Sequence, residues 1–255
     1  MSTLFSLPSL GWGSWSLLVV VGVMCGFINT FAGGGSLITL PLLIFLWIPP
    51  HQANASNRLA LVFQNAASVS GFWWGGVRDT KSIVRLAGPA LVGSFLGAYL
   101  AVVISPELFK KALGVFMLIA LVPLMRPHKA SQQEAPEHPS VWLMILFFGV
   151  GIYAGFIQAG AGIWSLLALL LVGGYDLNRA NAVKSQLLFL STLLATAVFL
   201  WKGQVIFVVG LVLAVGNSLG AWLATTLASK VDMRMIRWLL LLVILFSSAR
   251  LFGLL

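Results

Sequence analysis

Polar groups interrupt the apolar sequence at two places, and both sets begin at a glycine-rich break. The first set is Asn29, Thr30, Gly33, Gly34, Gly35 and Ser36, followed by Asn54, Asn57, Arg58, Gln64, Asn65 and Ser68. The second is Gln158, Gly160, Gly162 and Ser165, followed by Asn181, Lys184, Ser185, Gln186, Ser191 and Thr192. Amides, hydroxyls and two cations with no carboxylate among them form a donor-rich set. A glycine break that opens a helix adds backbone N–H groups at the positive end of the helix dipole. Asn57, Asn65 and Ser68 also share one helical face, at spacings of eight and three. This chemistry suits a small anion. The candidate substrate-binding residues are Asn29, Thr30, Gly33, Gly34, Gly35, Ser36, Asn57, Arg58, Gln64, Gln158, Gly160, Gly162, Lys184 and Gln186.

Several other chemistries lack their residues. The six acids (Asp79, Glu107, Glu134, Glu137, Asp176, Asp232) and three histidines (His51, His128, His138) all fall in polar stretches or at segment ends. An intramembrane protease therefore has no acid pair and no embedded histidine, and a carboxylate proton relay has no members. Cys25 is the only cysteine, so an internal disulfide and a Cys-rich metal site are excluded; the sequence calls for no metal and no cofactor. With 60% hydrophobic and 8% charged residues, and a mean hydropathy of +1.01, the chain is an integral membrane protein and not an enzyme. Its net charge of +9 reads as loop topology and not as a nucleic-acid footprint.

The elements that must position these groups are apolar segments near 14–31, 36–48, 57–75, 83–104 and 108–125, then 141–158, 163–173, 180–201, 204–228 and 233–254. A polar linker at 126–140 separates a first membrane repeat (1–125) from a second (141–255). The halves resemble one another: Gly22–Leu42 aligns on Gly151–Leu171 with 10 identities in 21 positions. Ala53-Asn54-Ala55 then matches Ala180-Asn181-Ala182, and the stretch from Gly93 matches that from Gly216 in 6 of 9 positions. The second segment of each half is too short to cross a bilayer, because 13 helical residues cover only about 20 Å. It either folds back as a re-entrant hairpin or crosses partly and ends in irregular backbone, which membrane depth tolerates only inside protein or a wet cavity. Ten Lys and Arg fall on one side (Arg78, Lys81, Arg85, Arg126, Lys129, Arg179, Lys184, Lys230, Arg234, Arg237) against five on the other (Arg58, Lys110, Lys111, Lys202, Arg250). The richer side is expected to be cytoplasmic, with both termini outside and the linker inside. The fold class is thus an all-α membrane protein of two inverted repeats, about five hydrophobic segments each, with Gly-broken short or re-entrant helices.

Plainer roles compete for some of these residues. Gly22 with Gly26, Gly93 with Gly97, Gly151 with Gly155 and Gly216 with Gly220 are small-xxx-small patterns that serve close helix packing. Trp47, Trp73, Trp74, Trp142 and Trp201 at segment ends form an aromatic belt. Arg58 and Lys184, read as lying at segment edges, either attract an anion at the entrances or snorkel to the interface.

The stretches GFINTFAGGGSLITLPLL (26–43) and PPHQANASNRL (49–59) resemble the sulfite exporter TauE/SafE family, with GFIQAGAG (155–162) and DLNRANAVKSQLL (176–188) in the second-half positions. The resemblance implies a duplicated multi-spanning transporter of sulfite or small organosulfonates, usually working as efflux across a bacterial inner membrane. The second half departs from the pattern at Ile163, Trp164 and Leu170 (opposite Pro41), so the first-half residues and Lys184 carry more weight. The expected function is export of a small sulfur-containing anion, driven by membrane potential or an ion gradient. Its partners are that solute and the lipid bilayer, with no nucleic acid; the oligomeric state, a homo-oligomer included, stays open. The rivals are a non-transporting assembly or scaffold protein, and a transporter for a different small solute.

Overall fold

A computed structural model describes residues 11–31, 33–125, 139–227 and 233–254, so most of the linker and the cations Arg126, Lys129 and Lys230 lie outside the described residues. Ten α-helices account for almost all of the described chain: α1 (Trp12–Phe31), α2 (Ser36–Phe45), α3 (Pro50–Trp74), α4 (Thr80–Val103), α5 (Pro106–Met125), α6 (Val141–Phe156), α7 (Ala161–Leu167), α8 (Leu177–Trp201), α9 (Phe207–Leu227) and α10 (Met233–Leu251). One wide π-turn, Ala168–Val172, extends α7. Four helices (α1, α4, α8 and α9) contain stretches long and apolar enough to cross a membrane. The chain is an all-α, multi-pass membrane protein.

Helix α3 starts earlier than the apolar pattern suggests. Hydropathy alone places its start at Asn57, but Pro50 sits in the first helical turn, where a missing N–H costs nothing, and the polar run from His51 to Ser56 is already helical. Arg58 therefore lies two turns inside a helix. Lys184 likewise lies two turns into α8, whose first turn is capped by the Asp176 carboxylate accepting from the amides of Asn178 and Arg179.

Both breaks turn the chain back on itself. A Cβ on Gly35 would sit 2.2 Å from the Cys25 carbonyl oxygen, so α2 begins by packing on the α1 backbone. The Ser36 amide donates to Asn29 Oδ1 at 3.3 Å across the same turn. In the second half the Tyr153 hydroxyl donates to the carbonyl of Ala159, closing the turn between α6 and α7. Each short segment thus folds back against the helix that precedes its break.

Glycine makes the helix pairs possible. Cβ atoms added at Gly26 and Gly220 would fall 2.0 and 1.9 Å from carbonyl oxygens of the facing helix in the α1–α9 pair. Those at Gly97 and Gly155 would fall 2.0 and 2.1 Å from carbonyls in the α4–α6 pair. These are backbone-on-backbone contacts that no side chain can share. Direction follows from the same contacts. Gly22 meets Gly216 while Gly220 meets Val23 and Phe27, so α1 runs parallel to α9; Gly93 and Gly97 meet 148–152 and 152–156, so α4 runs parallel to α6. Helix α3 runs with α9, since Ser56 bonds Ile206 and Gly71 faces Thr225. Each of the main packed pairs has a counterpart: α1–α9 with α6–α4, α3–α9 with α8–α4, and α2–α10 with α7–α5.

One ion pair ties the N-terminal ends of α4 and α8. Arg179 Nε donates to Asp79 Oδ2 at 2.6 Å, and the Tyr175 ring lies 4.9 Å beneath the Arg179 guanidinium. The Ser82 and Tyr175 hydroxyls share a 2.5 Å hydrogen bond beside it. Burial pushes the Asp79 carboxyl up, but the hydrogen bonds from Arg179 and Ser82, with the Arg179 charge, outweigh it and hold the group below the usual carboxylate value.

Two outcomes follow. Gly220→Val should abolish cooperative thermal unfolding and monodisperse elution in detergent, since the added atoms meet backbone and have no way to yield. Asp79→Asn should lower stability by about 0.5–1 kcal/mol at neutral pH. A depressed carboxylate contributes above its unfolded value near 4 and loses its contribution as pH falls through its folded value, so the two proteins' melting midpoints should converge below about pH 4.

Candidate functional site

The two breaks meet. Gly33, at φ +72°, and Gly162 approach so closely that a Cβ on either would lie 2.2–2.4 Å from the other's backbone. Around this contact is a small polar cavity of about 10 Å3, with room for about one water. Its walls are Asn29, Thr30, Gly33 and Ser36 from the first break, Gln158 and Gly162 from the second, Leu61, Gln64 and Asn65 from α3, and Lys184, Ser185 and Leu188 from α8. Leu61, Gln64, Asn65 and Ser68 fall at i, i+3, i+4 and i+7, as do Asn181, Lys184, Ser185 and Leu188, so each helix turns one mixed polar face to the centre.

Hydrogen bonds fix these side chains. Asn29 Nδ2 donates to Gln64 Oε1 at 2.8 Å and to Ser36 Oγ at 3.3 Å. The Thr30 and Ser68 hydroxyls lie 2.9 Å apart. On the other side Gln158 Nε2 donates to Thr192 Oγ1 at 2.9 Å. Gln158 has φ +66°, in the left-handed region where a side-chain-bearing residue is strained.

Two cations meet the ends of the broken helices. Lys184 Nζ donates to the carbonyls of Thr30 (2.7 Å) and Asn29 (3.2 Å) at the C-terminus of α1, and to Asn181 Oδ1 (2.7 Å). Arg58 donates to the carbonyls of Ala154 (2.7 Å) and Gly155 (2.5 Å) at the C-terminus of α6, and to Gln158 Oε1 (3.2 Å). Asn54 Nδ2 adds a bond to the Phe156 carbonyl at 3.0 Å. A helix C-terminus carries unpaired carbonyls and a negative partial charge, and each cation satisfies both. Arg58 is 0% exposed and Lys184 1%, so neither stands at an entrance; that expectation came from starting both helices too late. Arg58 Nε, Asn57 Nδ2 and Asn54 Oδ1 are buried without a protein partner.

The cavity gathers eight of the expected residues: Asn29, Thr30, Gly33, Ser36, Gln64, Gln158, Gly162 and Lys184. Six lie elsewhere. Gly34 faces the Leu240 and Ile163 side chains, Gly35 packs on Cys25, and Gly160, at φ +80°, packs on Leu37. Asn57 accepts from the Thr39 hydroxyl at 2.9 Å, Arg58 holds α6, and the half-buried Gln186 bonds within its own helix to Ala182. Much of the backbone at the start of α2 is already used, the Ser36 amide by Asn29 and those of Leu37 and Ile38 by Gly34 and Gly35, so side chains dominate the cavity wall. Asn65, Ser185, Leu61 and Leu188 belong to the wall as well, and their helical spacing with Gln64 and Lys184 was the signal for them.

Returning broken helices that meet tip to tip around a polar cavity, inside a bundle of apolar helices, define a solute-carrying membrane protein. The family model for the sulfite exporter TauE/SafE family matches residues 18–251, and the chain belongs to that family. It is similar to the "Probable membrane transporter protein ORF9" of Sinorhizobium sp, with 30% identity covering 92% of this chain and 91% of the relative. A "Probable membrane transporter protein" of Haemophilus influenzae is 30% identical over 92% and 93% of the two chains. "Probable membrane transporter protein YfcA" of Escherichia coli K12 is 28% identical over 92% and 88%. The chain is a membrane transporter of this family.

Removing either cation should destabilise the fold. In Arg58→Met two α6 carbonyls and Gln158 lose their donor inside the protein, at roughly 1–3 kcal/mol for each buried group left unsatisfied. The expected outcome is a melting midpoint at least several degrees lower in detergent, with Arg58→Lys intermediate because it keeps the charge but not the forked donors.

Proposed function

We propose that the protein exports a small sulfur-containing anion, sulfite or an organosulfonate, through the cavity where the two breaks meet. The observation that carries this reading is the charge of the interior. Lys184 and Arg58 are both buried, while the only buried carboxylate among the described residues, Asp79, is bound to Arg179 at the periphery. Carbonyl dipoles compensate the two cations only in part, and a bound anion completes the balance. Amide and hydroxyl donors from Asn29, Gln64, Asn65, Gln158 and Ser185 are of the kind that replaces the hydration of an oxyanion.

In this reading Asn29, Thr30, Gly33, Ser36, Gln64, Gln158, Gly162 and Lys184 contact the solute, and Arg58 acts through Gln158, whose amide it orients. A cavity that holds about one water is too small for an oxyanion, so the present conformation is closed and the breaks must part to admit one. The two halves, 1–125 and 141–255, are inverted copies, and access alternates as one rocks against the other. The exchange-related helix pairs and the antiparallel course of α3 and α8 support this: Arg58 lies beside Phe199 while Gln64 and Asn65 lie toward Ser185 and Leu188. The protein sits in the inner membrane with its cation-richer side, nine Lys and Arg once the buried Lys184 is set aside, and the linker in the cytoplasm, and both termini outside. It catalyses no covalent chemistry. An inside-negative potential drives the anion out, supplying about 2.3 kcal/mol per charge per 100 mV without a carboxylate relay.

Counterflow of radiolabelled sulfite into proteoliposomes tests the proposal, with sulfate, acetate, taurine and sulfoacetate as competitors. Selective suppression by one sulfur oxyanion is expected. A potential imposed with potassium and valinomycin should accelerate movement toward the positive side. Lys184→Gln should cut uptake at least about tenfold, the equivalent of 1.4 kcal/mol in the transport barrier, with Lys184→Arg retaining part of it. No uptake by protein shown to be folded and inserted would overturn the reading in favour of another solute or a scaffold role.

A further inference from the structure

A second cationic site lies away from the central cavity, where the end of α2, the first turns of α5 and the end of α10 come together. It is a cleft of about 160 Å3 lined by Ile44, Phe45, Trp47, Lys110, Arg250 and Leu251. The Arg250 guanidinium stands 4.5 Å over the Phe45 ring, and neither Lys110 nor Arg250 has an ion-pair partner among the described residues. Two unpaired cations from separate helices, above a wall of apolar side chains, match a ligand with an anionic head and a hydrocarbon tail. Three helix ends meet here, so the cleft falls where headgroups begin.

Trp47 points the same way. It is 90% exposed, and its φ of +65° lies in the left-handed region, where a bulky residue is a clear outlier. The sequence alignment that matches Ala53-Asn54-Ala55 with Ala180-Asn181-Ala182 places Trp47 opposite Gly174, which has nearly the same backbone conformation, at φ +68°. The second half fills this turn with the residue that adopts it without strain. The first half tolerates the strain, and its ring contacts almost nothing in the protein. An indole held at the rim of a cationic cleft in the headgroup layer is suited to a lipid.

We propose that this cleft binds the phosphodiester headgroup of an anionic phospholipid, with Lys110 and Arg250 on the phosphate and Phe45, Trp47 and Leu251 along the start of an acyl chain. The site does not depend on the nature of the transported solute.

The test is the melting midpoint of the purified full-length protein in detergent with added phosphatidylglycerol, phosphatidylcholine or inorganic phosphate. Phosphatidylglycerol should raise it by about 2–4 °C for wild type, phosphatidylcholine and phosphate should not, and K110Q/R250Q should lose the rise while K110R/R250K keeps it. Trp47→Gly relieves the turn, so its midpoint without lipid should equal or exceed that of wild type while its response to phosphatidylglycerol shrinks. Native mass spectrometry of the single variants K110Q and R250Q provides a readout if the double variant does not fold; each should retain fewer phosphatidylglycerol molecules than wild type. A rise that persists in K110Q/R250Q or equals that with phosphatidylcholine would overturn the proposal. So would reproduction of the rise by inorganic phosphate, which would identify a free-anion site, or undiminished retention by both single variants.

Discussion

The whole arrangement depends on what happens at the C-termini of α1 and α6. A helix that stops inside an apolar bundle leaves carbonyls with no partner and a negative dipole end in a medium of low dielectric. Lys184 meets the end of α1 and Arg58 the end of α6, and each cation comes from the other half of the chain. The broken helices and the buried charges are each costly alone and together satisfy one another. Cross-bracing between halves follows directly, because neither break is complete without the opposite helix.

Glycine sets the distances within which this works. With backbones of α1 and α9, and of α4 and α6, in direct contact, the outer helices close tightly enough to bring Gly33 against Gly162. That approach brings Asn29 and Gln158 to one cavity. The polar faces of α3 and α8 complete its wall, and the apolar remainder of those helices faces their neighbours.

Much of this was legible in the sequence. Segment number, the short second segments and the two glycine breaks are written in apolar runs and their punctuation, because bilayer thickness leaves helices few alternatives. The Asn and Gln residues of the cavity were legible for the same reason, since amides in such runs need an interior partner; Lys184, like Arg58, was read as lying at a segment edge and is buried instead. What hydropathy misread was the start of α3: a run of Pro, His, Gln and Asn looks like a loop when only apolarity is scored. It is helical because Pro50 fits a first turn and its polar residues meet partners, such as the Phe156 carbonyl for Asn54. That error moved Arg58 to an edge. The pairing of Asp79 with Arg179, 100 positions apart, leaves no local trace at all.

The distance along the chain between Arg58 and its acceptors has a consequence for biosynthesis. Ala154 lies 96 residues downstream. At about 5–20 residues per second, α3 leaves the ribosome roughly 5–20 s before the carbonyls that will receive its guanidinium exist. During that interval Arg58 and Asn54 lack their second-half acceptors, whereas Asn57 and Gln64 already have Thr39 and Asn29. The buried charge of α3 and the open end of α6 are therefore completed in one event, when the second half is made.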